Sequence, residues 1–285
     1  MQEPGDLYGV IGHPVAHSQS PFIHESFAQQ LGHTIRYERV LCPLDGFAPM
    51  LREWAAQGAK GCNVTVPFKF EVPGLVARCT PRAMLARAAN TVRFDDQHWQ
   101  ADNTDGQGLV VDIQGHAGFM LKGCTVVLVG AGGAAAGVLG PLLAARPRRV
   151  VVVNRTVERA MVLASSHRAW AHAQGSEVLG GSLDEAVRLC PQGCEVLING
   201  TASSLSGQAS PVPEGLLRRG GLAVDMMYGP AAQPFLQWAQ NQGAVARDGL
   251  GMLVEQAAEA YAFWRGVRPH TPPVLQALRQ RLAAT

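Results

Sequence analysis

The chain has 285 residues, 47% of them hydrophobic and 16% charged, and its 24 basic and 22 acidic side chains leave a formal charge of +2. That apolar share with a net charge near zero excludes a disordered chain and gives no bulk attraction to nucleic acid or to an acidic membrane. The bases divide into 21 Arg and only 3 Lys, at positions 60, 69 and 122. The length predicts two domains. Six cysteines at 42, 62, 79, 124, 190 and 194 form no CxxC pair, which suits reduced intracellular thiols. The start, MQEPGDLYGVIG, lacks a basic region and a long apolar run, and no stretch reaches the ~18 apolar residues of a membrane span. A soluble, cytoplasmic protein is expected.

Short apolar runs alternate with amphipathic stretches from residue 7 onward. A strand is predicted at Leu7–Ile11, followed by a helix that Ser20 caps and Pro21 opens, ending at Gly32. Then come a strand at Ile35–Val40, a helix from Asp45 to Gln57 and a strand at Gly61–Val66 that breaks at Pro67. Helical turns over 71–88 and a short strand pair near 90–101 complete the first half. The second half opens with a linking helix at Gly106–Gly115 and a strand at Thr125–Val129. A small-residue helix at Gly133–Ala145, a strand at Arg149–Val153 and a helix at Val157–His167 follow. Strands at Glu195–Asn199 and Leu222–Asp225, a helix at Pro234–Asn241, and helices over 250–265 and 272–283 close the chain. This alternation predicts mostly parallel sheets covered by helices, in an α/β fold.

After the strand at 125–129 stands Gly130-Ala131-Gly132-Gly133-Ala134-Ala135, read as Gly-x-Gly-x-x-Ala at the mouth of a helix. The first glycine makes the tight turn, the second lets a pyrophosphate approach the backbone, and the small third residue lets helix and strand pack closely. The helix N-terminus then offers unpaired N–H groups to phosphate. Alone, the pattern also fits a tight packing contact in a chain rich in Gly and Ala. The next strand discriminates between cofactors. NAD sites place an acid at its tip, whereas here Asn154-Arg155-Thr156 follows, with Arg159 one turn later. A guanidinium suits a 2′-phosphate and an acid would repel it, so NADP is favoured over NAD.

In the first half, GHPVAHSQSPFIH puts Ser18 and Ser20 at a strand-to-helix junction. Their hydroxyls can bind a polyol or carboxylate, but spacing alone favours Ser20 as a helix cap. His13, His17 and His24 are poor metal candidates, because Pro14 prevents helical stacking of the first two and no Cys or carboxylate lies close by. NVTVPFK ends a strand on Asn63, Thr65 and Lys69. Asn90 ends a helical stretch, and Asp102-Asn103-Thr104-Asp105-Gly106 precedes the linking helix.

Taken together, these blocks resemble the shikimate dehydrogenase family over nearly the full chain. GHPVAHSQSPFIH is similar to its opening signature, NVTVPFK to its lysine motif, and AANTV and DNTDG to the next two blocks. GAGGAAAG with NRT resembles its NADP-binding pair, and DMMY and GLGMLVEQA its closing signatures. The resemblance implies reduction of the C3 ketone of 3-dehydroshikimate by NADPH, with Lys69 and Asp105 as the catalytic pair. It implies that Ser18 and Ser20 bind the substrate carboxylate, and that Asn63, Thr65, Asn90, Asp105 and Gln256 surround the ring hydroxyls. It places Tyr228 and Met252 where substrate and nicotinamide meet, with Met226 and Gly249 beside the cofactor and Asn199 and Thr201 in a cofactor loop. Two departures stand out. Asn199-Gly200-Thr201-Ala202-Ser203 replaces the frequent NATS, and Gln233-Pro234-Phe235 replaces Thr-Pro-Phe.

The expected architecture is a substrate domain over 1–105, completed by 249–285, and a Rossmann-like NADP-binding domain over 106–248, with a cleft between them. The partners expected are small molecules, with no nucleic acid, membrane or metal, and a homodimer among the candidate assemblies. Hydride transfer builds alkoxide charge on the carbonyl oxygen, so a proton donor is needed there. An ammonium can give its proton where a guanidinium cannot, which gives Lys69 a reason to survive in an arginine-rich chain. Whether it transfers the proton or mainly stabilises charge is open from sequence. The rival expectations are a quinate/shikimate dehydrogenase using NAD and a catalytically silent NADP- or shikimate-binding regulator. The missing acid after Val153 opposes the first, and intact Lys69 and Asp105 oppose the second.

Overall fold

The computed structural model describes residues 5–95, 98–201 and 213–284. The chain divides into two compact units, Met1–Gly108 with Val254–Thr285, and Leu109–Leu253. The first unit contains β1 (Asp6–Gly12), α1 (Ser20–Leu31), β2 (Ile35–Leu41), α2 (Phe47–Ala56), β3 (Gly61–Val64), β4 (Arg78–Cys79) and α3 (Pro81–Ala86). It continues with β5 (Thr91–Arg93), β6 (Gln100–Asp102) and the start of α4 (Asp105–Val111). Its sheet runs β2-β1-β3-β5-β6-β4. β2, β1 and β3 are parallel, β5 is antiparallel to both β3 and β6, and β4 is parallel to β6. Side chains alternate along β1 with the period of two that a strand demands. Leu7 and Ile11 join Phe47, Leu51, Trp54, Val64 and Phe68 on one face, while Tyr8 and Val10 join Val15 and Tyr37 on the other.

The second unit holds β7 (Thr125–Val129), α5 (Gly133–Ala144), β8 (Arg149–Val153), α6 (Val157–Ser166), α7 (Arg168–Ala173), β9 (Glu177–Gly181) and α8 (Ala186–Leu189). After these come β10 (Cys194–Asn199), β11 (Leu217–Asp225), α9 (Gln233–Asn241) and β12 (Val245–Arg247). All six strands are parallel, in the order β12-β11-β10-β7-β8-β9. Read from the first of them, this is the 3-2-1-4-5-6 order of the dinucleotide-binding fold, whose ligands bind where the order reverses, here between β7 and β10. Val126, Leu128, Val150, Val152, Val196 and Ile198 face α5 and its neighbours, and Val127, Val129, Val151, Val153 and Leu197 fill the opposite face. Burial on both faces explains why these strands read as unbroken apolar runs. The chain re-enters the first unit within α10 (Leu250–Arg265) and ends in α11 (Pro272–Ala283). Among the described residues, no helix is long and apolar enough to cross a membrane.

Several local expectations need correction. The cap of α1 is Gln19, with no side-chain cap bond, so Ser20 is the first helical residue and not the N-cap. A Ser-Pro pair reads alike in either register, because Pro is accepted in the first helical turn with or without a Ser cap. The strand expected to reach Val66 ends at Val64, where a turn with a cis Val66–Pro67 bond takes over. The helical stretch over 71–88 is broken by β4. The linking helix begins at Asp105 and passes into a wider π turn at Asp112–His116. β11 begins at Leu217, ahead of an irregularity in its pairing with β10, and β9, β12, α7 and α8 add to the elements read from sequence.

Candidate active site

In the first unit, antiparallel pairing sets Asn63 of β3 opposite Thr91 of β5. Asn63 donates from Nδ2 to the Asn90 carbonyl (3.2 Å) and to Thr91 Oγ1 (3.1 Å), and its Oδ1 accepts from the Tyr37 hydroxyl (2.7 Å). Asn90 Nδ2 lies 2.8 Å from Asp105 Oδ1, 2.9 Å from Thr104 Oγ1 and 3.1 Å from Gln256 Oε1. Lys69 Nζ donates to Asp105 Oδ2 at 2.6 Å, and the two side chains are 14% and 7% exposed. Water therefore screens this pair weakly. Asn63, Lys69, Asn90, Asp105 and Gln256 thus form one connected polar cluster at the end of the sheet.

Each member is held by its own element. Lys69 sits in a tight turn, Phe68–Phe70, whose Phe68 ring is buried and stacked on Phe47 at 4.8 Å. The Lys69 carbonyl accepts from the Ala89 amide, which ties that turn to the Asn90 corner (2.9 Å). Asp105 opens α4, where the helix dipole favours a carboxylate. The loop before it is anchored by buried Asp102, which accepts from Arg82, from Thr80 Oγ1 (2.5 Å) and from the Asn103 amide (2.7 Å). Asn103 in turn donates to the Ala88 carbonyl (2.9 Å) and accepts from the Asp105 amide (3.2 Å).

Ser18 and Ser20 follow β1. Their hydroxyls are 3.1 Å apart, and Ser18 Oγ accepts the Ser20 amide at 3.3 Å. Arg39 clamps the Ser18 carbonyl with two donors, at 2.7 and 2.9 Å. Because Ser20 does not cap the helix, its hydroxyl is left for other work. Burial pushes the Tyr37 phenol well above its ordinary range, partly offset by a hydrogen bond with Ser20, so the serines adjoin the same cluster. Thr65 stands one residue past β3. Gly12 has no Cβ, and that gives the Thr65 methyl its space, since a Cβ there would overlap it.

The three histidines that opened the metal question are apart in function. His13 Nδ1 is bonded to the Cys42 carbonyl at 2.8 Å. His24 is fully buried, stacked on Tyr37 at 4.5 Å, and burial brings its imidazole down to about 3. Among the described residues, no group of three or more His, Cys, Asp or Glu side chains is arranged to hold a metal ion.

The second unit places the glycine-rich turn at its switch point. Gly130 has φ +111°, a left-handed conformation that side chains disfavour, and a Cβ there would lie 3.0 Å from the Gly200 carbonyl oxygen. Gly132 caps α5 in extended conformation without a side-chain cap, and nothing lies within 4 Å of where its Cβ would be. Open space there, ahead of Gly133 and Ala134 in the first turn, suits a phosphate-bearing ligand. Ala131 is partly buried against the core, and Ala135 is fully buried beneath the turn. Beyond β8, Asn154 Nδ2 donates to the Thr156 carbonyl (2.9 Å) and shapes the turn that exposes Arg155 and Arg159. No ion pair of the described residues engages either arginine.

At the end of β10, Asn199 Oδ1 accepts from Thr201 Oγ1 (2.7 Å) and from the Thr201 amide (3.2 Å). Asn199 Nδ2 donates to buried Asp225 (3.3 Å), and the Met226 amide donates to the Asn199 carbonyl (2.9 Å). Gly200, the first departure from the family pattern, has a reason. A Cβ there would stand 3.1 Å from Met226 Sδ and 3.2 Å from the Val129 carbonyl. Ala202 and Ser203 lie outside the described residues. The second departure, Gln233-Pro234, forms the first turn of α9. Tyr228 lies in the turn after β11, partly buried, and Met252 is packed into the core beside α5. Gly249 donates its amide to the Met227 carbonyl (2.8 Å), and a Cβ on it would overlap Met226. Arg247 pairs with fully buried Asp112 at 2.5 Å, next to the start of α10.

Three family models match the chain. They describe a shikimate dehydrogenase substrate binding domain over residues 10–92, a shikimate/quinate 5-dehydrogenase over 113–204, and a shikimate 5-dehydrogenase C-terminal domain over 249–279. A shikimate dehydrogenase (NADP(+)) from Methylibium petroleiphilum is 58% identical, over 96% of this chain and 94% of its own. The chain belongs to the shikimate dehydrogenase family. Another shikimate dehydrogenase (NADP(+)), from Acidovorax sp. strain JS42, is also 58% identical, over 100% of this chain and 99% of its own. Among solved structures, the Thermus thermophilus shikimate 5-dehydrogenase in complex with NADP(H) and shikimate superposes with a TM-score of 0.83. It is 32% identical and covers 96% of this chain and 99% of its own. For a shikimate dehydrogenase, the buried polar residues that sequence reasoning missed are Tyr37, Thr91, Thr104 and Asp225. Thr91 and Thr104 lie inside the AANTV and DNTDG blocks, so a signal was present. Tyr37 carried none, because its partner is 26 residues away on another strand.

Proposed function

We propose that the protein catalyses the reversible, NADPH-dependent reduction of 3-dehydroshikimate to shikimate. The reading is carried by the Lys69–Asp105 pair, a weakly screened ammonium 2.6 Å from a carboxylate among hydroxyl-binding amides. Ser18 and Ser20 bind the substrate carboxylate, and their two hydroxyls standing 3.1 Å apart at the head of α1, with neither capping the helix, support this. Asn63, Thr65, Asn90, Asp105 and Gln256 receive the ring hydroxyls, with Tyr228 completing the substrate set.

The second unit fits NADP. The open position at Gly132 and the uncapped first turn of α5, Gly133 and Ala134, suit the pyrophosphate together with Gly130 and Ala131. Arg155 and Arg159, exposed and without an ion pair among the described residues, suit the 2′-phosphate, with Asn154 and Thr156 shaping their turn. Asn199, Thr201, Met226, Gly249 and Met252 support the nicotinamide end. When bound, NADPH supplies the hydride. Alkoxide charge then grows on the C3 oxygen, and Lys69 Nζ delivers the proton to it. Asp105 holds that ammonium in place, and Asn90 holds Asp105 through Oδ1. In the reverse direction Lys69 takes the proton back.

The direct test mixes purified protein with 3-dehydroshikimate and NADPH and identifies the product. Loss of NADPH absorbance matched by formation of shikimate is expected. Absence of turnover in folded protein would sink the proposal.

A further inference from the structure

The hydrogen bonds behind Asp105 have a definite direction, and it is set by backbone groups. Asn90 Oδ1 accepts the Thr104 backbone amide (2.9 Å), so the Asn90 NH2 group must face Asp105. Asn63 Nδ2 donates to the Asn90 backbone carbonyl (3.2 Å), so the Asn63 oxygen must face Tyr37. A backbone N–H only donates and a carbonyl only accepts, so neither amide can be flipped without losing a bond. Between the two amides stands the Thr91 hydroxyl, fully buried. It receives Asn63 Nδ2 at 3.1 Å and therefore must place its own proton on Asn90 Oδ1, 3.0 Å away. The result is a one-way chain. Tyr37 donates to Asn63, Asn63 to Thr91, Thr91 to Asn90, and Asn90 to the carboxylate that holds Lys69.

We infer that Thr91 is a positioning residue for the reaction, acting through Asn90 and Asp105, with Tyr37 as the outer end of the same chain. Thr91 both accepts and donates through a single atom, which is what joins the two amides. Each dipole in the chain points its positive end toward Asp105, and successive bonds in a buried chain polarise one another. The chain keeps the Asn90 amide hydrogens directed at the carboxylate and holds Asn63 against the sheet. Thr91 itself touches no reacting atom. The inference rests on the proposed function, because its readout is turnover of shikimate.

Thr91→Val keeps the branched shape a strand accommodates and removes both bonds. Thr91→Ser restores the hydroxyl. We expect kcat for shikimate oxidation to fall about tenfold in Thr91→Val, the scale of one lost bond to a catalytic network plus an unsatisfied donor. The KM for NADP+ should be unchanged and that for shikimate should move less than about threefold, while Thr91→Ser recovers most of the loss. A merely structural role would lower the melting temperature without this split. An unchanged kcat in Thr91→Val, or a Thr91→Ser variant as slow as Thr91→Val, overturns the inference. If Thr91→Val does not fold, Tyr37→Phe cuts the chain one link further out, and a wild-type kcat in that folded variant overturns it equally. Inactive wild-type protein would instead count against the proposed function, so the two failures are distinguishable.

Discussion

Replacing Lys69 by Met removes an ammonium and leaves its aliphatic stem, so packing is kept while Asp105 loses its cation. At 2.6 Å and an effective dielectric of about 20, the gross attraction in the pair is about 6 kcal/mol, most of it offset by desolvation. Removing one partner of such a pair leaves the other charge uncompensated, typically at ~3–5 kcal/mol. Asp105 keeps the Asn90 amide on Oδ1, which places the cost at the low end, about 3 kcal/mol. Thermal unfolding of the first unit should then fall by ~6–12 °C. Turnover should fall about 10²-fold or more through loss of the proton donor, with NADPH binding nearly intact. The double variant Lys69→Met, Asp105→Asn removes the stranded charge. It should recover most of the stability and none of the turnover. Calorimetry and initial rates on both variants give the answer. Near-normal turnover in Lys69→Met refutes the assigned role, and a double variant as unstable as the single one refutes the stranded-charge argument.

Arg155→Ala should weaken NADPH by roughly tenfold and leave NADH nearly unchanged, because only the former carries a 2′-phosphate for the guanidinium; equal losses for both cofactors in titrations would contradict the phosphate assignment. His24 is held down to about 3 by burial, so the native state keeps it neutral while the unfolded chain takes up a proton below about 6.5. Its effect on stability is therefore absent above about pH 6.5 and grows as pH falls toward 3, destabilising by up to ~1.4 kcal/mol per unit. Urea titrations from about pH 6.5 down to about pH 4 should show a shallower loss in His24→Phe than in wild type, and parallel curves would rule this out.

Legibility differed by element for physical reasons. β7, β8 and β10 are buried on both faces, so their composition announces them. β9 ends in two glycines and β4 has only two residues, and neither carries a pattern long enough to read. Ser20 shows the limit of cap rules, since Ser-Pro at a helix start reads equally well one residue earlier or later. The Gly130 turn was readable because its demand for a positive φ is local. Lys69 and Asp105, 36 residues apart, were joined only through a family resemblance, because no local spacing tells that a turn after β3 meets the start of α4. For Thr91 the resemblance supplied only its place inside the AANTV block, because the part inferred for it lies in the direction of two hydrogen bonds and not in its residue type.

The most direct measurement follows the absorbance of the reduced cofactor as it forms with wild-type protein, offering shikimate or quinate with NADP+ or NAD+. The account predicts that kcat/KM is highest by a wide margin for shikimate with NADP+, since Arg155 and Arg159 stand where an NAD site would carry an acid. Equal or greater efficiency with NAD+, or with quinate, would contradict it.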